Sequence, residues 1–488
     1  MLFNSYAFFV FLPIVWMIYF LMNRLGSHRL ALLSLLVGSF VFYGFDDPRL
    51  CLLLGASIVG NYCVHLVLTM ETLSPTARKC MLVLGLAFDF SLLFYFKYLN
   101  FTLTNINRLF STSLTWKKIA LPLGISFYTF QQVSFVIDSY ERKMPRYPFL
   151  EYSVFVSFFP QLVAGPIVLH QELIPQLRDR SKHHVNFSNV FRGLEYFILG
   201  LAKKVLVADS FAKVCDIGFS DTIVLNTPGA FLTMLTYTLE IYFDFSGYCD
   251  MAIGLGLFFN IDLPKNFNSP YKSLNISEFW KRWHMTLTRF LTTYVYIPLG
   301  GNRKGQLRTL VNVMIVFTVS GIWHGAAWTF LLWGILHGLA QVFHRLFHTI
   351  TEKLPKWIRW LLTFSFVNVA WIFFRAEYFR QPFRLIGSIL KGGMGWLPSK
   401  MTHALWDSSL SVLLMERFLP TSAIEMVLEF MTWGWTLFWT VICVKAPSTA
   451  EITERHYRSN KWLAWLSLLL ILSLFSFSRI SKFIYFNF

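Results

Sequence analysis

His324 is the residue best suited to chemistry in a part of the chain that is otherwise apolar. It lies in SGIWHG at 320–325, within the apolar stretch 310–338. An ionisable side chain at membrane depth indicates a functional site, where a neutral imidazole can act as a general base. The alternative interpretation is a histidine that only forms hydrogen bonds between helices. The spacing alone favours neither interpretation.

A second group of polar and aromatic residues lies in EFWKRWHMTL at 278–287. Lys281, Arg282 and His284 alternate there with two tryptophans. The simpler interpretation is an amphipathic helix at the membrane interface, with tryptophan anchors and basic side chains that reach the headgroups. The functional interpretation is a rim that admits an anionic ligand.

Two further features combine polar groups with apolar sequence. Glu240, Asp244 and Asp250 place three carboxylates in one apolar run, so they must face a partner or a wet cavity. They are as typical of a structural role as of a catalytic one. The chain ends in FIYFNF at 483–488, and such an aromatic tail often anchors at the interface.

Several enzyme signatures are missing from the sequence. It has no HExxH, GxSxG, Walker A or GxGxxG motif. Its six cysteines include no CxxC pair, which argues against a zinc or redox centre. His344 and His348 have the spacing of a metal pair, but Arg345 lies between them, and a solvated helix end explains them better. We therefore expect no metal.

The elements that must position these residues are membrane helices. The chain has 488 residues, 55% hydrophobic and only 14% charged, well below the roughly 25% of soluble domains. Apolar runs near the roughly 20 residues of a membrane span predict an all-α polytopic membrane protein. We expect about eleven to thirteen embedded segments in one domain over 1–488. The candidate segments are 7–22, 30–45, 50–69, 81–98, 119–137, 152–169, 191–208, 231–259, 310–338, 358–374, 431–444 and 462–476.

The segment around His324 is too long for one ordinary span. Its 29 residues would cover about 44 Å as a straight helix. It must therefore tilt strongly or break, and the two glycines that flank Trp323 and His324 favour a break there. The number of crossings between Arg308 and Arg375 stays open.

The charge of the chain predicts its orientation. The net charge is 43 − 26 = +17, and the basic residues lie in short loops between apolar runs. This distribution argues against nucleic acid and follows the positive-inside rule. A basic cytoplasmic face also suits anionic lipids or a phosphorylated cofactor.

Individual loops are assigned to sides of the membrane by the same rule. We expect 178–192 and 265–308 on the cytoplasmic side; the second carries eight basic residues and one acidic residue. The nearly balanced segment 375–430 is expected outside, irregular in part because of its glycines. Arg24 and Arg29 follow the first span, so we expect the N-terminus outside, without a cleaved signal peptide.

Several motifs resemble one family over nearly the whole chain. They are MLFNSYAFFVFLP at 1–13, FPQLVAGPI at 159–167, YFDFSGYCDMAIGLGLFF at 242–259, LPKNFNSPY at 263–271, FWKRWHMTLTRFLTTYVYIPLGGNR at 279–303, and SGIWHG. Together they resemble the bacterial alginate O-acetylation branch of the membrane-bound O-acyltransferase (MBOAT) family. Members of that branch act on alginate, cellulose or peptidoglycan, and a related branch passes D-alanine to teichoic acids. The resemblance implies that family's fold, with helices around a central tunnel.

The resemblance also implies roles for individual residues. The family's membrane histidine matches His324, and its second histidine matches His284. The branch's C-terminal aromatic motif matches 479–488, which makes Tyr485 the tyrosine that takes up the acyl group. We expect five cations to hold the phosphates of acetyl-CoA, and these are Lys281, Arg282, Arg289, Arg303 and Lys304.

The function implied is export of acetyl groups across the bacterial inner membrane. Acetyl-CoA would deliver its thioester from the cytoplasm, His324 would act as base, and Tyr485 would relay the acetyl group. An extracytoplasmic partner of the SGNH esterase type would pass it to a polysaccharide. The alternatives are a lipid acyltransferase of the same family, and a transporter without covalent chemistry, which Asp244 and Asp250 would suit.

Overall fold

The computed structural model describes residues 1–115, 120–406, 417, 419–456, 459–476 and 483–484. Across these residues the regular structure is helical and no strand forms, so the predicted all-α class is confirmed. We number the helices α1 Tyr6–Arg24, α2 His28–Gly44, α3 Arg49–Leu68, α4 Pro75–Leu93, α5 Leu99–Phe110, α6 Ile125–Tyr140, α7 Phe149–Ser157, α8 Phe159–Leu162, α9 His170–Arg178, α10 Phe187–Ala202, α11 Asp209–Phe219, α12 Thr227–Phe258, α13 Ile276–Arg282, α14 Met285–Leu291, α15 Gln306–His324, α16 Trp328–Thr351, α17 Lys356–Arg375, α18 Gln381–Lys391, α19 Ser399–Trp406, α20 Thr421–Lys445, α21 Thr449–His456 and α22 Asn460–Phe475.

The chain is a multi-pass membrane protein. Seven helical stretches in the described residues are long and apolar enough to cross a bilayer, and α2 and α22 are shorter apolar helices. The seven are α1, α3, the continuous Pro75–Phe110, α15, α16, α17 and α20. Their outward faces carry exposed large apolar side chains, such as Leu52 and Leu84, which suits contact with lipid.

The long helix α12 forms the centre of the bundle. Nearly all of its 32 residues are buried, so it packs against protein on every side. Helix α10 lies close against it because glycines face each other: a Cβ on Gly200 would meet the carbonyl of Gly247 at 2.5 Å. Small residues at such a contact let two backbones approach within a membrane.

The candidate segment 152–169 does not form one continuous spanning helix. Helix α7 ends at Ser157, and Phe158 leaves the helical region with ψ of 106°. The four-residue α8 follows, with Pro160 in its first turn, and α9 begins only at His170. The whole stretch is buried, so these apolar residues fill the core instead of crossing the bilayer as one helix.

Among the described residues, helices widen locally into π-helical turns at 94–98, 203–208 and 292–296. One extra residue in a turn changes the direction of the side chains that follow it. The first turn contains Lys97, and the second contains Lys203 and Lys204. These cations lie inside helical stretches and face the interior of the bundle.

Candidate active site

His324 is the last residue of α15, at the closed end of a helical hairpin. The backbone becomes extended at Gly325, and α16 begins at Trp328 and runs back along α15. The predicted break is thus confirmed, and it falls directly after the histidine. The two helices touch at glycines, since a Cβ on Gly321 would lie 3.1 Å from the Cα of Gly334.

The imidazole of His324 is enclosed by aromatic rings. The residue is 4% exposed, and its ring centroid lies 5.1 Å from those of Trp333 and Phe374. Trp333 follows it on α16, and Phe374 comes from the far end of α17. Three helices therefore fix the orientation of the ring.

His284 joins α13 to α14 and is fully buried. Its φ of 45° is in the left-handed region. This conformation is energetically unfavourable for residues other than glycine, and such strained residues are common at functional sites. Its Nδ1 is 3.1 Å from Oδ1 of Asn266. The same Oδ1 accepts hydrogen bonds from the backbone N–H and the hydroxyl of Thr286, which fixes it as the acceptor.

These contacts determine the tautomer of His284. Because Asn266 Oδ1 can only accept, Nδ1 must carry the proton in the neutral ring, which leaves a lone pair on Nε2. Nε2 is buried and has no hydrogen-bond partner among the described residues. The ring centroids of His284 and His324 are 6.2 Å apart. The two histidines thus form one buried site, although they are 40 positions apart in the sequence.

Lys97 belongs to this site, and we did not predict it. Its Nζ donates to the carbonyls of Trp323 and His324, at 2.6 and 3.0 Å, and to Oγ of Ser126 at 3.0 Å. A cation here satisfies carbonyl groups that have no partner within α15 and offsets the negative end of its dipole. The signal in the sequence was a lone lysine at the end of the apolar run 81–98.

A large cavity opens on one side of the histidines. We call it the outer cavity, because Arg375 and Glu377 line it at the start of the segment expected outside. Its volume is about 1020 Å³, and it reaches Lys97 and Gly325 beside His324. Its wall is highly charged, and the charged residues are Lys97, Lys204, Asp209, Asp216, Glu240, Asp244, Arg375 and Glu377.

A second cavity approaches from the other direction. This inner cavity has a volume of about 510 Å³ and lies between α13, α14, α15 and α16. It ends at Ser320, one helical turn before His324, and Leu287 near His284 also lines it. Its rim carries a cluster of basic and imidazole side chains, and these are Lys281, His344, Arg345 and His348.

The five cations expected to hold a phosphorylated donor have different surroundings. Lys281 is exposed at the inner cavity, and Arg303 and Lys304 are exposed on a nearby turn. Arg282 and Arg289 instead form ion pairs within the protein, with Glu278 at 2.9 Å and with Glu172. His344, Arg345 and His348 also line the inner cavity, although their spacing in the sequence predicts only a solvated helix end.

The three carboxylates of α12 are engaged in different ways. Asp250 forms an ion pair with Lys203 at 2.6 Å. Asp244 forms one with Lys204, also at 2.6 Å. Glu240 lines the outer cavity, as Asp244 does.

The C-terminal tail returns to the bundle beside α12. Ile484 lines the outer cavity, and its backbone N–H donates to Oδ2 of Asp244 at 2.9 Å. Tyr485, the predicted acyl carrier, lies outside the described residues. Within the described residues no group of three or more His, Cys, Asp or Glu side chains is arranged to hold a metal ion.

Comparisons with known proteins agree on one family. The membrane-bound O-acyltransferase family model matches residues 63–378. Peptidoglycan O-acetyltransferase of Helicobacter pylori is 41% identical over all of this chain and 98% of its own length. Probable alginate O-acetylase AlgI of Pseudomonas aeruginosa is 36% identical over 83% of this chain and 77% of its own. Teichoic acid D-alanyltransferase of Bacillus subtilis is 25% identical over 53% of this chain and 70% of its own.

Proposed function

The chain belongs to the membrane-bound O-acyltransferase family and is an O-acyltransferase, and from that premise we propose that it exports acetyl groups. The acetyl group passes from cytoplasmic acetyl-CoA to Tyr485, and from there to an extracytoplasmic partner that O-acetylates a cell-envelope polysaccharide. The observation that carries this proposal is a pair of buried histidines between two cavities that approach from opposite ends of α15.

Acetyl-CoA enters the inner cavity in this proposal. Its phosphates suit the cations at the rim, since Lys281 and Arg345 are exposed there and free to turn toward a ligand. Arg303 and Lys304 can contribute from the adjacent turn, whereas Arg282 and Arg289 shape the segment through their carboxylate partners. The thin thioester arm then reaches toward Ser320 and the histidines.

The transfer step needs one base and one nucleophile. His324 takes the proton of the Tyr485 phenol as the phenol oxygen attacks the thioester carbonyl. The new C–O bond forms, the C–S bond breaks, and the proton passes from His324 to the leaving thiolate to give free CoA. His284 lies close enough to orient the reacting groups, with its Nε2 lone pair available to a donor.

An acetyl group on a phenol keeps a high transfer potential. The reference pKa of a phenol is about 10, far below that of an alkyl alcohol, so phenolate is a good leaving group. A partner with an SGNH-type active site could therefore accept the acetyl group and pass it to a sugar hydroxyl. The full-length likeness to a peptidoglycan O-acetyltransferase favours peptidoglycan as the final acceptor, with alginate second. The bacterial inner membrane is the location that fits a cytoplasmic donor and an external acceptor.

Mass spectrometry of the C-terminal peptide tests the proposal. We expect the purified full chain to gain an acetyl adduct on Tyr485 after incubation with acetyl-CoA, and to release CoA. His324→Ala should lose the adduct; an adduct that persists in this variant would rule out the proposed base. If the wild type gains no adduct and Tyr485→Phe keeps polysaccharide acetylation, the relay is wrong.

A series of donors separates the lipid acyltransferase alternative. An enzyme that acylates lipids would prefer long-chain acyl-CoA, whereas acetyl export should lose rate as the chain lengthens. Substrate movement without release of CoA would instead indicate a transporter. The carboxylates that suggested transport form ion pairs with Lys203 and Lys204, so the charge of Asp244 and Asp250 has a structural explanation.

A further inference from the structure

We propose that Asp244 is a positioning residue that anchors the C-terminal tail at the wall of the outer cavity. The proposal rests on the relay function of Tyr485 described above and assigns a purpose to a carboxylate buried in the middle of α12. The anchor is the hydrogen bond from the Ile484 backbone N–H to Asp244 Oδ2, which joins positions 240 apart in the sequence.

The described tail residues are held by both backbone and side chain. Phe483 and Ile484 are only 3% and 9% exposed, so both are buried within the protein. The ring of Phe483 packs on Tyr248 and Phe245 of α12, with centroids 4.7 and 6.0 Å apart. The aromatic contacts hold Phe483 against α12. The hydrogen bond to Asp244 sets the position of Ile484 along that helix.

Lys204 is the countercharge of Asp244. The ammonium lies 2.6 Å from Asp244 and 2.8 Å from Asp209, and all three residues line the outer cavity. A buried carboxylate needs such a partner, because an isolated charge inside a membrane protein is very costly. A hydrogen bond from a backbone N–H to a carboxylate is also stronger than one between neutral groups.

The position of the anchor determines where the acyl carrier can reach. Tyr485 follows Ile484 directly, and consecutive Cα atoms are about 3.8 Å apart. The cavity that Ile484 lines is the one that Lys97 and Gly325 border beside His324. In this proposal, holding Ile484 limits how far the Tyr485 phenol can move from this cavity, which favours an intramolecular transfer.

A second lysine–carboxylate pair on the same two helical stretches offers a matched control. Lys203 contacts Asp250, six residues further along α12, and both contact the hydroxyl of Thr449. This pair ties α12 to the start of α21 and is separate from the hydrogen bond between Ile484 and Asp244. Loss of Asp250 removes a similar buried charge without touching the proposed anchor.

The experiment compares four variants of the anchor and one control, all in the full-length chain. Asp244→Ala removes the acceptor, and Asp244→Asn keeps a carbonyl oxygen that can accept the same hydrogen bond. Ile484→Pro removes the donor without changing the bundle, because proline has no backbone N–H, and Ile484→Ala keeps that N–H. Asp250→Ala is the control for the loss of a buried carboxylate.

Two measurements are made on each variant. Amide hydrogen exchange of the peptide that contains Ile484 reports the anchor itself, whether or not the protein turns over. The rate of Tyr485 acetylation against acetyl-CoA concentration reports its consequence. We expect Asp244→Ala to speed exchange and lower kcat by roughly tenfold or more with unchanged KM for acetyl-CoA. Asp244→Asn should lie between Asp244→Ala and the wild type.

The variants at Ile484 test the same hydrogen bond from the side of its donor. Ile484→Pro should lower kcat as Asp244→Ala does, and the two changes combined should have less than additive effects, because both remove the same hydrogen bond. Ile484→Ala should keep more activity than Ile484→Pro. The anchor is overturned if exchange and kcat are unchanged in Asp244→Ala, if kcat is unchanged in Ile484→Pro, or if Asp250→Ala has an effect equal to that of Asp244→Ala. Protected exchange without any Tyr485 adduct in the wild type would overturn the relay and leave the anchor standing.

Discussion

The two histidines differ in how their rings are held, and the difference suits two roles. Asn266 fixes the tautomer of His284 by a hydrogen bond, whereas His324 is positioned by aromatic rings and by its place at the end of α15. His324 lies directly before Gly325, which lines the outer cavity, whereas Asn266 holds the ring of His284. This favours His324 as the base and His284 as the group that orients it.

Lys97 should matter for catalysis without contacting the donor. Lys97→Met keeps the aliphatic length but leaves the carbonyls of Trp323 and His324 without their charged donor. We expect a stability loss of about 1–3 kcal/mol and a lower kcat with unchanged KM for acetyl-CoA. Thermal unfolding and steady-state rates check this. Lys79→Met, at an exposed position of α4, is the control, and an equal effect there would contradict the prediction.

The rim of the inner cavity should control donor affinity. Lys281→Ala and Arg345→Ala each remove an exposed cation, and exposed ion pairs contribute about 0.2–1 kcal/mol. Each change should therefore raise KM for acetyl-CoA by up to roughly fivefold, and less at high salt. KM for acetyl-pantetheine, which has no nucleotide, should not change. Lys353→Ala, exposed outside this cavity, is the control; an equal shift there would refute a specific phosphate site.

At the scale of elements, the sequence predicts which segments are apolar more reliably than where they break. The break after His324 was predictable because flanking glycines coincide with an excess of length. The end of α7 at Ser157 was not, since Phe158 continues an apolar run and its backbone bends only in the packed core. The π-helical turns were not predictable either, because a shift of one residue is hard to recognise in runs where most positions are apolar.

The glycine contact between α15 and α16 should be necessary for the position of His324. In Gly321→Ala the new Cβ would lie 2.5 Å from the carbonyl of Phe330, so the helices must separate. We expect a cost of about 1–3 kcal/mol and a large loss of kcat, measured by thermal unfolding and acetylation rate. Gly434→Ala on α20 is the control, because nothing lies within 4 Å of its added Cβ. Equal losses in the two variants would argue against a specific role for the hairpin.

At the scale of the whole molecule, the site is assembled from parts that are distant in sequence. Lys97, His284 and His324 come from three separate stretches, and the tail contacts α12 across 240 positions. The family resemblance identified both His284 and His324 as site residues. Neither their spacing in the sequence nor the local pattern predicts that their ring centroids lie 6.2 Å apart. Lys97 and Asp244 can be recognised in the sequence as charged residues within apolar runs. The residues that they contact cannot be predicted from the sequence.

The direction of acetyl transfer depends on which side of the membrane each cavity faces, and labelling can measure this. Helices α15, α16 and α17 follow one another as three passes, so Lys304 and Arg380 should lie on opposite sides. The segment 265–308 carries eight basic residues against one acidic residue, which predicts that Lys304 is cytoplasmic.

We expect an impermeant maleimide to label Arg380→Cys in intact cells and Lys304→Cys only in inverted vesicles. The exposed Cys63 and Cys80 would first be replaced by serine, and both sites should react after permeabilisation. If both positions were labelled from the same side, α15, α16 and α17 would not make an odd number of crossings. The inner cavity could then not open to cytoplasmic acetyl-CoA while the outer cavity faces the partner.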